Sequence, residues 1–215
     1  MKILSISQIL NKSWELFKRQ AGMLVALIFV YVLTSSVLSF IRQEYFHEYD
    51  FTSILFTILY YIISLILSLG LVRIAINVVD EERVDLDLLF SERNGTLLLH
   101  YFFGGLFIAI VVIIGFVFLI IPGIYLIFRL QFFQYALLEH EQPDFWVAIN
   151  ESWEMTKGQV WDLFAIAVCC FFIILLGLLA FLIGVFVAYP LVLIIYAVVF
   201  RVLNPKTKNH LVIQA

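Results

Sequence analysis

One permanently charged side chain, Arg129, interrupts the apolar run from Leu97 to Leu138, and it is the strongest chemical signal in the chain. A guanidinium carries five N–H donors in a fork that matches the oxygens of a carboxylate or a phosphate. An arginine inside a membrane span is costly and normally faces protein, water or a partner. Gln131 and Gln134 lie close by in sequence and would add amides to a polar interior. The pattern indicates either a site for an anionic substrate or a lipid phosphate, or a structural arginine bonded to neighbouring spans.

Two further arginines lie in similar apolar surroundings. Arg73 occurs in the string LVRIA and Arg201 in VFRVL, as Arg129 does in IFRLQ. Both are candidates for binding an anion or a lipid headgroup. Because they lie nearer to the end of their apolar runs, the alternative is that their long side chains snorkel to the interface.

Two tryptophans occupy matching positions in a repeated string. Asn11–Gln20 aligns without gaps to Asn150–Gln159, and six of the ten residues are identical, including Trp14 and Trp153. Each string places apolar residues on one helical face and charged residues on the other, which is typical of a helix in the membrane interface. The two tryptophans are therefore predicted to be interfacial anchors, with a partner-docking surface as the alternative.

Catalytic chemistry is not indicated. The chain contains no HExxH, no GxSxG and no glycine-rich phosphate loop. Glu44, His47 and Glu48 have the i, i+3, i+4 spacing that could bind a divalent metal if the segment were helical, but short acidic loops are common. The adjacent Cys169 and Cys170 point in different directions on a helix and are expected to stay reduced. The sequence predicts no enzyme, no catalytic residue, no metal and no cofactor.

The elements that must position these groups are membrane spans. Of the 215 residues, 64% are hydrophobic and 13% are charged, whereas a soluble domain is about 45–50% apolar and about 25% charged. A water-soluble fold has too little interior to hide so much apolar side chain, so lipid must be the solvent for most of the chain. The net charge of −3 does not favour nucleic acid as a partner.

Apolar runs of about 20 residues predict six membrane-spanning helices. Two long runs must each be divided, at Pro122-Gly123 and in the region from Gly184 to Pro190, because proline removes a backbone donor and glycine permits a turn. If both regions were kinks, four spans would result. The predicted spans are Ala21–Ile41, Phe51–Val79, Leu97–Ile120, Ile124–Leu138, Trp161–Gly184 and Tyr189–Leu203.

Basic residues decide the predicted orientation. With six spans, both termini share one side, and nearly all lysines and arginines of the loops and tails fall on that side, whereas Arg42 falls on the other. The sequence therefore predicts a multi-pass protein of the cell membrane, of the kind found in bacterial inner membranes, with both termini in the cytoplasm.

The fold class predicted from these patterns is an all-α integral membrane domain, residues 1–204, followed by a cytoplasmic tail, residues 205–215. Three pseudo-repeats each consist of an amphipathic helix in the cytoplasmic interface followed by a transmembrane hairpin. All three share one orientation. The pseudo-repeats cover about residues 1–80, 81–141 and 142–204.

The interfacial helices are predicted at Ser7–Gln20, Asp85–Asn94 and Asp144–Lys157. Asp144 follows a proline and is a plausible N-cap of the last of these helices. Gly158 is the corresponding C-terminal stop.

Three strings of the sequence resemble a superfamily of bacterial and archaeal membrane domains. They are SWELFKRQ at Ser13–Gln20, IPGIYLIFRLQF at Ile121–Phe132 and AINESWEMTKGQVWDLF at Ala148–Phe164. The superfamily includes the membrane domain found beside some glycerophosphoryl diester phosphodiesterases and related stand-alone domains of unknown function. The resemblance implies a six-helix membrane protein concerned with lipids, envelope or transport. The phosphodiesterase activity belongs to a separate soluble barrel, for which this chain has no residues.

Two functions are consistent with the sequence. The first is a non-enzymatic protein that interacts with membrane lipids and has an organising or accessory role, with a protein partner or homo-oligomer left open. The second is a small transporter or channel for an anionic or lipid-like substrate, with Arg129, Gln131 and Gln134 along its polar path and Asn77 as a further candidate. A water-accessible cavity around Arg129 would favour the second function, and tight packing the first.

Overall fold

A computed structural model of the chain describes residues 5–45, 51–81, 83–84, 95–180 and 184–204. Every regular element in those ranges is a helix. The helices are α1 (Ile6–Tyr45), α2 (Phe51–Glu81), α3 (Gly95–Phe118), α4 (Ile120–Leu130), α5 (Phe133–Glu139), α6 (Phe145–Met155), α7 (Val160–Leu179) and α8 (Val185–Leu203).

Six helical stretches of the described chain are long and apolar enough to cross a membrane. α4 and α5 together form one of these stretches, whereas α6 has 11 residues and is too short to cross. The predicted number of spans is confirmed, and the chain is of the multi-pass membrane class. The six stretches are Ile6–Glu44, Phe51–Glu81, Gly95–Phe118, Ile120–Glu139, Val160–Leu179 and Val185–Leu203.

α1 changes direction at Gln20, where φ is −131° and ψ is 21°. The matching residue of the repeated string is Gln159, which lies between α6 and α7 with φ −111° and ψ 7°. Both glutamines therefore interrupt the helical backbone between a segment with several charged residues and the apolar helix that follows it.

The ends of α6 lie where the sequence predicts them. The Asp144 carboxylate accepts a hydrogen bond from the backbone N–H of Trp146 at 2.8 Å, as an N-cap does. Gly158 follows the helix with a φ of +76°, a conformation that favours glycine. Both predictions are confirmed. The helix predicted at Asp85–Asn94 lies outside the described residues.

The break predicted at Pro122-Gly123 is wrong, because the chain turns three residues earlier. Leu119 is extended between α3 and α4, with φ −166° and ψ 150°. Pro122 lies in the first turn of α4, where a helix has no use for the missing backbone N–H. Gly123 serves close packing instead, since a Cβ atom there would come 2.6 Å from the ring of Phe116 on α3.

The turn predicted from Gly184 to Pro190 is also wrong in extent. α8 begins at Val185 and contains Pro190. Because Pro190 is only the sixth residue of the helix, its missing donor removes one hydrogen bond near the start and leaves the rest of the helix intact. The last span is therefore longer at its beginning than the sequence suggests.

The best-packed part of the described chain is formed by α5, α8 and the C-terminal half of α2. Val78, Leu137, Ile194 and Phe200 are fully buried there. The outward faces of α3 and α7 expose large apolar side chains instead, as expected of a surface that meets lipid.

The end of the bundle at which α2, α5 and α8 finish is called the terminal end below. It holds Asp80, Glu139 and Asn204, whose side chains are joined through hydrogen bonds. Gln20 lies there too, because its side-chain oxygen accepts a hydrogen bond from the backbone N–H of Val84 at 2.7 Å.

Candidate anion-binding site

Arg129 lies at the C-terminal end of α4, next to a break in the fourth span. Gln131 and Phe132 form a turn between α4 and α5. Arg129 is the last residue but one of α4, so its carbonyl is among the four that a helix end leaves without a helical N–H partner. The residue is only 2% exposed, so this carbonyl needs another donor.

Two hydroxyl groups bind that carbonyl. Ser152 Oγ lies 3.0 Å and Thr156 Oγ1 3.1 Å from the Arg129 carbonyl oxygen, and both residues are fully buried. Thr156 Oγ1 is also 2.7 Å from the Ser152 carbonyl and 3.3 Å from the Trp153 carbonyl, so its single hydrogen is shared among three acceptors. Serine and threonine are four residues apart in the string SWEMT, which places both on the face of α6 that meets the broken end of α4.

Trp153 covers the guanidinium of the same arginine. The Arg129 Cζ atom lies 4.1 Å from the centroid of the Trp153 ring and 5.8 Å from that of the Tyr125 ring, both within the range of cation–π attraction. The two rings meet edge to face, with their centroids 6.2 Å apart. α6 and α4 therefore each contribute one aromatic side chain to the arginine.

Two nitrogens of the guanidinium, Nε and Nη1, are buried and have no hydrogen-bond partner among the described residues. Leaving charged donors unpaired away from water costs several kcal/mol, on the order of 3 or more. Cation–π attraction returns about 2 kcal/mol when the pair is desolvated. An oxyanion that reached both nitrogens would accept two charge-assisted hydrogen bonds at once. The arrangement is therefore suited to hold an anion.

Hydrogen bonds and ring contacts place Trp153, Tyr125, Ser152 and Thr156 against Arg129, and none of these four residues carries a carboxylate, an imidazole or a thiol. Across the ranges that the structure describes, no group of three His, Cys, Asp or Glu side chains could hold a metal ion.

We expect the double variant Ser152→Ala, Thr156→Val to lower the unfolding free energy by about 2 kcal/mol, because each hydroxyl lost from the buried carbonyl costs about 1 kcal/mol. Thermal unfolding followed by circular dichroism in one detergent measures this loss. Ser7→Ala is the control, since Ser7 is an exposed serine of α1 and lies outside this contact. A double variant that unfolds at the wild-type temperature would contradict the capping role.

A second charged cluster, which was not predicted from the sequence, connects three spans at the terminal end. Arg201 on α8 donates to Asp80 on α2 through Nε, at 2.7 Å, and through Nη2. Its Nη1 donates to Glu139 on α5, and Asn204 Nδ2 donates to the other oxygen of that carboxylate at 3.4 Å. Arg201 is only 7% exposed. The guanidinium is therefore paired with carboxylates at the end of its span, and snorkelling of Arg201 to the interface stays a prediction.

The other predicted polar groups do not bond to the Arg129 guanidinium. Gln131 Nε2 donates to the Phe128 carbonyl of its own span at 3.2 Å. Gln134 is half-buried on α5, and Arg73 is half-buried on α2. The amide of Asn77 bonds the carbonyl of Arg83 at 3.2 Å.

Trp14 and Trp153 have different surroundings despite their matching positions. Trp14 is 44% exposed and stacks on Phe17 with a centroid distance of 5.7 Å. The fully buried side chain at this place is its neighbour Ser13. Ser152, at the matching position of the second string, is also fully buried.

The remaining candidates form no site in the described chain. His47 and Glu48 of the possible metal triad lie outside the described residues. Cys169 and Cys170 are free thiols, as predicted.

The chain matches no protein-family model, no curated protein and no solved structure. The family resemblance of the three strings therefore stays a prediction. Function is inferred from the geometry around Arg129.

Proposed function

We propose that this chain is a non-enzymatic integral membrane protein that binds the phosphate of an anionic lipid at Arg129 and has an organising or accessory role in the membrane. The observation that carries the proposal is the buried guanidinium whose Nε and Nη1 lack partners among the described residues. A phosphate presents paired oxygens to such a fork, and the surrounding bilayer supplies phosphates at high local concentration.

The depth of Arg129 supports a headgroup as its ligand. The ring of the preceding residue, Phe128, lies 5.8 Å from that of Phe164 on α7. Phe164 is four residues from Val160, the first residue of α7, which corresponds to about 6 Å along the helix. Measured along α7, Arg129 therefore lies about one turn inside the terminal end of a span, close to the level expected for lipid phosphates.

The aromatic ring nearest to the guanidinium is that of Trp153. Trp153 is half-buried on a helix of 11 residues, and its ring covers the arginine. Rotation of this ring about the Cα–Cβ bond would open Nε and Nη1 while the Ser152 and Thr156 hydroxyls still hold α6 in place. The lipid phosphate would then replace the indole as the partner of the charge.

The arrangement that accompanies this proposal is three hairpins, each preceded by an interfacial amphipathic helix, with both termini in the cytoplasm of a bacterial cell. Contacts within the pairs α1–α2, α3–α4 and α7–α8 support the hairpins. The matching backbone breaks at Gln20 and Gln159 support a repeat. The basic residues of the loops support the orientation.

A lipid-holding role is favoured over a water-filled transport path. Arg129 is 2% exposed and stacked against two aromatic rings, which is the tight packing expected of the first function. Gln131 bonds its own span and contributes no lining to the arginine.

The test is lipid retention by the purified protein, measured by native mass spectrometry with dioleoylphosphatidylglycerol and dioleoylphosphatidylcholine offered in equal amounts. The wild type is expected to prefer the anionic lipid. Arg129→Gln should lower this preference about tenfold, which corresponds to about 1.4 kcal/mol and lies within the range for hydrogen bonds to charged groups. Arg42→Gln is the control, because Arg42 is an exposed arginine at the opposite end.

A folded Arg129→Gln protein with wild-type preference for the anionic lipid would refute the proposal. If that variant does not fold, the same lipid preference is measured for Arg129→Lys. Lysine keeps the charge and loses the fork, so the preference should fall several-fold. A lysine variant that binds as the wild type does would identify Arg129 as a structural residue.

A further inference from the structure

A groove lies between α1 and α2 in the half of the molecule opposite to the terminal end. It is an open groove with a volume of about 570 Å³, within the range of small-ligand sites. Its described walls come from these two helices, between Tyr31 and Gln43 on α1 and between Tyr60 and Ser64 on α2. It is therefore separate from the Arg129 site, which is built by α4 and α6.

The described polar groups that line the groove are uncharged. Three serines of α1, Ser35, Ser36 and Ser39, share the groove with Ser64 of α2, and no acidic or basic side chain is among the described lining residues. A hydroxyl both donates and accepts hydrogen bonds. The described residues offer no hydrogen-bond partner to the three α1 hydroxyls. Such a surface matches a ligand with many hydroxyls and no net charge, and it offers nothing to neutralise a phosphate.

The groove extends along α1 from the hydrocarbon to the far headgroup layer. Ser35 is 15 residues and Gln43 is 23 residues beyond the bend at Gln20, which corresponds to about 22 Å and 34 Å along the helix. The hydrocarbon core of a bilayer is about 30 Å thick. The groove therefore begins in the hydrocarbon and ends in the headgroups of the leaflet opposite to Arg129.

Apolar side chains border the same groove. Phe40 is 64% and Val32 39% exposed, and both belong to its wall. Acyl chains that run along these residues would leave a headgroup beside the serines and tyrosines. Tyrosine rings also pack well against the C–H faces of sugars, since they combine an apolar face with a hydroxyl.

We infer that this groove binds a lipid with an uncharged, hydroxyl-rich headgroup, of the glycosylated diacylglycerol class. The serine hydroxyls bond the sugar, and the apolar wall receives the acyl chains. The site acts on a different leaflet and a different headgroup from those of Arg129, so it does not rest on the function proposed for that residue.

The test offers dioleoyl monoglucosyl diacylglycerol, dioleoylglycerol without sugar and dioleoylphosphatidylcholine to the full chain in a sugar-free polyoxyethylene detergent. Native mass spectrometry measures the bound fraction of each. The wild type is expected to retain the glucolipid about tenfold better than the other two. The triple variant Ser35→Ala, Ser36→Ala, Ser39→Ala should lose this preference, whereas Ser68→Ala and Arg129→Gln should keep it.

Three outcomes would overturn the inference. The first is equal retention of glucolipid and dioleoylglycerol by the wild type. The second is competition by free glucose at millimolar concentration, which would make the groove a site for a soluble sugar. The third is a dimer mass that the triple variant loses without any glucolipid adduct, which would make the groove an interface between two copies. Tyr60→Phe, which removes one hydroxyl and keeps the ring, serves if the triple variant does not fold, and a wild-type preference in that variant counts against a hydroxyl-based site.

Discussion

Replacing Arg201 by methionine is expected to lower the free energy of unfolding by about 3 kcal/mol, because it leaves the carboxylates of Asp80 and Glu139 without their cation in a partly buried cluster. Arg201 is 7% exposed, while the side chains of Asp80 and Glu139 are 34% and 22% exposed. Water reaches the carboxylates in part, so the expected loss lies at the lower end of the range for broken buried ion pairs. The three residues belong to α8, α2 and α5, and the loss should therefore loosen the whole terminal end.

Thermal unfolding in one detergent, together with the elution profile on size exclusion, measures this effect. Arg42→Met removes an exposed arginine and is expected to change stability by less than about 0.5 kcal/mol. The triple variant Arg201→Met, Asp80→Asn, Glu139→Gln also removes the two carboxylate charges. It should recover part of the lost stability, because burying a neutral group costs less free energy than burying an unpaired ion. A triple variant that is less stable than Arg201→Met alone would show that the carboxylates have other partners that matter more.

The span count follows from the sequence because burial in lipid needs only long apolar runs, and both composition and length report these directly. The ends of α6 were equally predictable. Asp144 accepts the hydrogen bond of Trp146, and Gly158 has a positive φ. Local chemistry decides each of these features within a few residues of chain.

The breaks within the two longest apolar runs were not predictable from proline and glycine alone. Pro122 lies in the first turn of α4, where proline is tolerated, and Pro190 is the sixth residue of α8, where it removes one helical hydrogen bond. Both helices begin before their proline. The position of such a turn is decided by which residues allow two helices to approach. Which residues allow this approach depends on the side chains of the partner helix, so the sequence around the turn alone does not predict its position.

The candidate site shows the same division between local and distant information. Arg129 stands out in sequence because it is the only permanent charge in its run. The residues around Arg129 in the sequence do not predict its contacts with Ser152, Trp153 and Thr156, which lie 23 to 27 residues further along the chain. The cluster of Asp80, Glu139 and Arg201 left a usable signal, however, because all three residues lie within the last turn of even-numbered spans. Such ends meet at one end of a bundle whenever the spans run in the same direction.

Gly177→Val is the second substitution expected to have a large effect, with a loss of about 3 kcal/mol, at the upper end of the usual range for overpacking. A Cβ atom at Gly177 would come 2.8 Å from the carbonyl oxygen of Gly184 and 2.9 Å from the Cβ of Ala188. A Cβ atom at Gly184 would come 2.6 Å from the Gly177 carbonyl oxygen. Two of these three neighbours are backbone atoms, which have no rotamer to change, so α7 and α8 must separate.

Gly105→Val on α3 is the matched control, because no atom lies within 4 Å of a Cβ placed there. Alanine substitutions at the same two positions are expected to change stability in opposite directions. Gly105→Ala should stabilise by about 0.5 kcal/mol through helix propensity, whereas Gly177→Ala should destabilise. Unfolding temperatures of the four variants in one detergent decide the matter, and equal shifts at the two positions would mean that α7 and α8 are not in close contact.

Combining Gly177→Val with Arg201→Met tests whether the two ends of α8 are energetically independent. Gly184 and Arg201 are 17 residues apart, which corresponds to about 26 Å along a helix. Effects at sites this far apart normally add, so the double variant should lose about 6 kcal/mol, the sum of the two. A smaller loss would mean that separating α7 from α8 already displaces Arg201 from Asp80 and Glu139. In that case α8 would move as a rigid body. The close contact between Gly177 and Gly184 at one end of the helix would then determine whether Arg201 reaches its carboxylate partners at the other end.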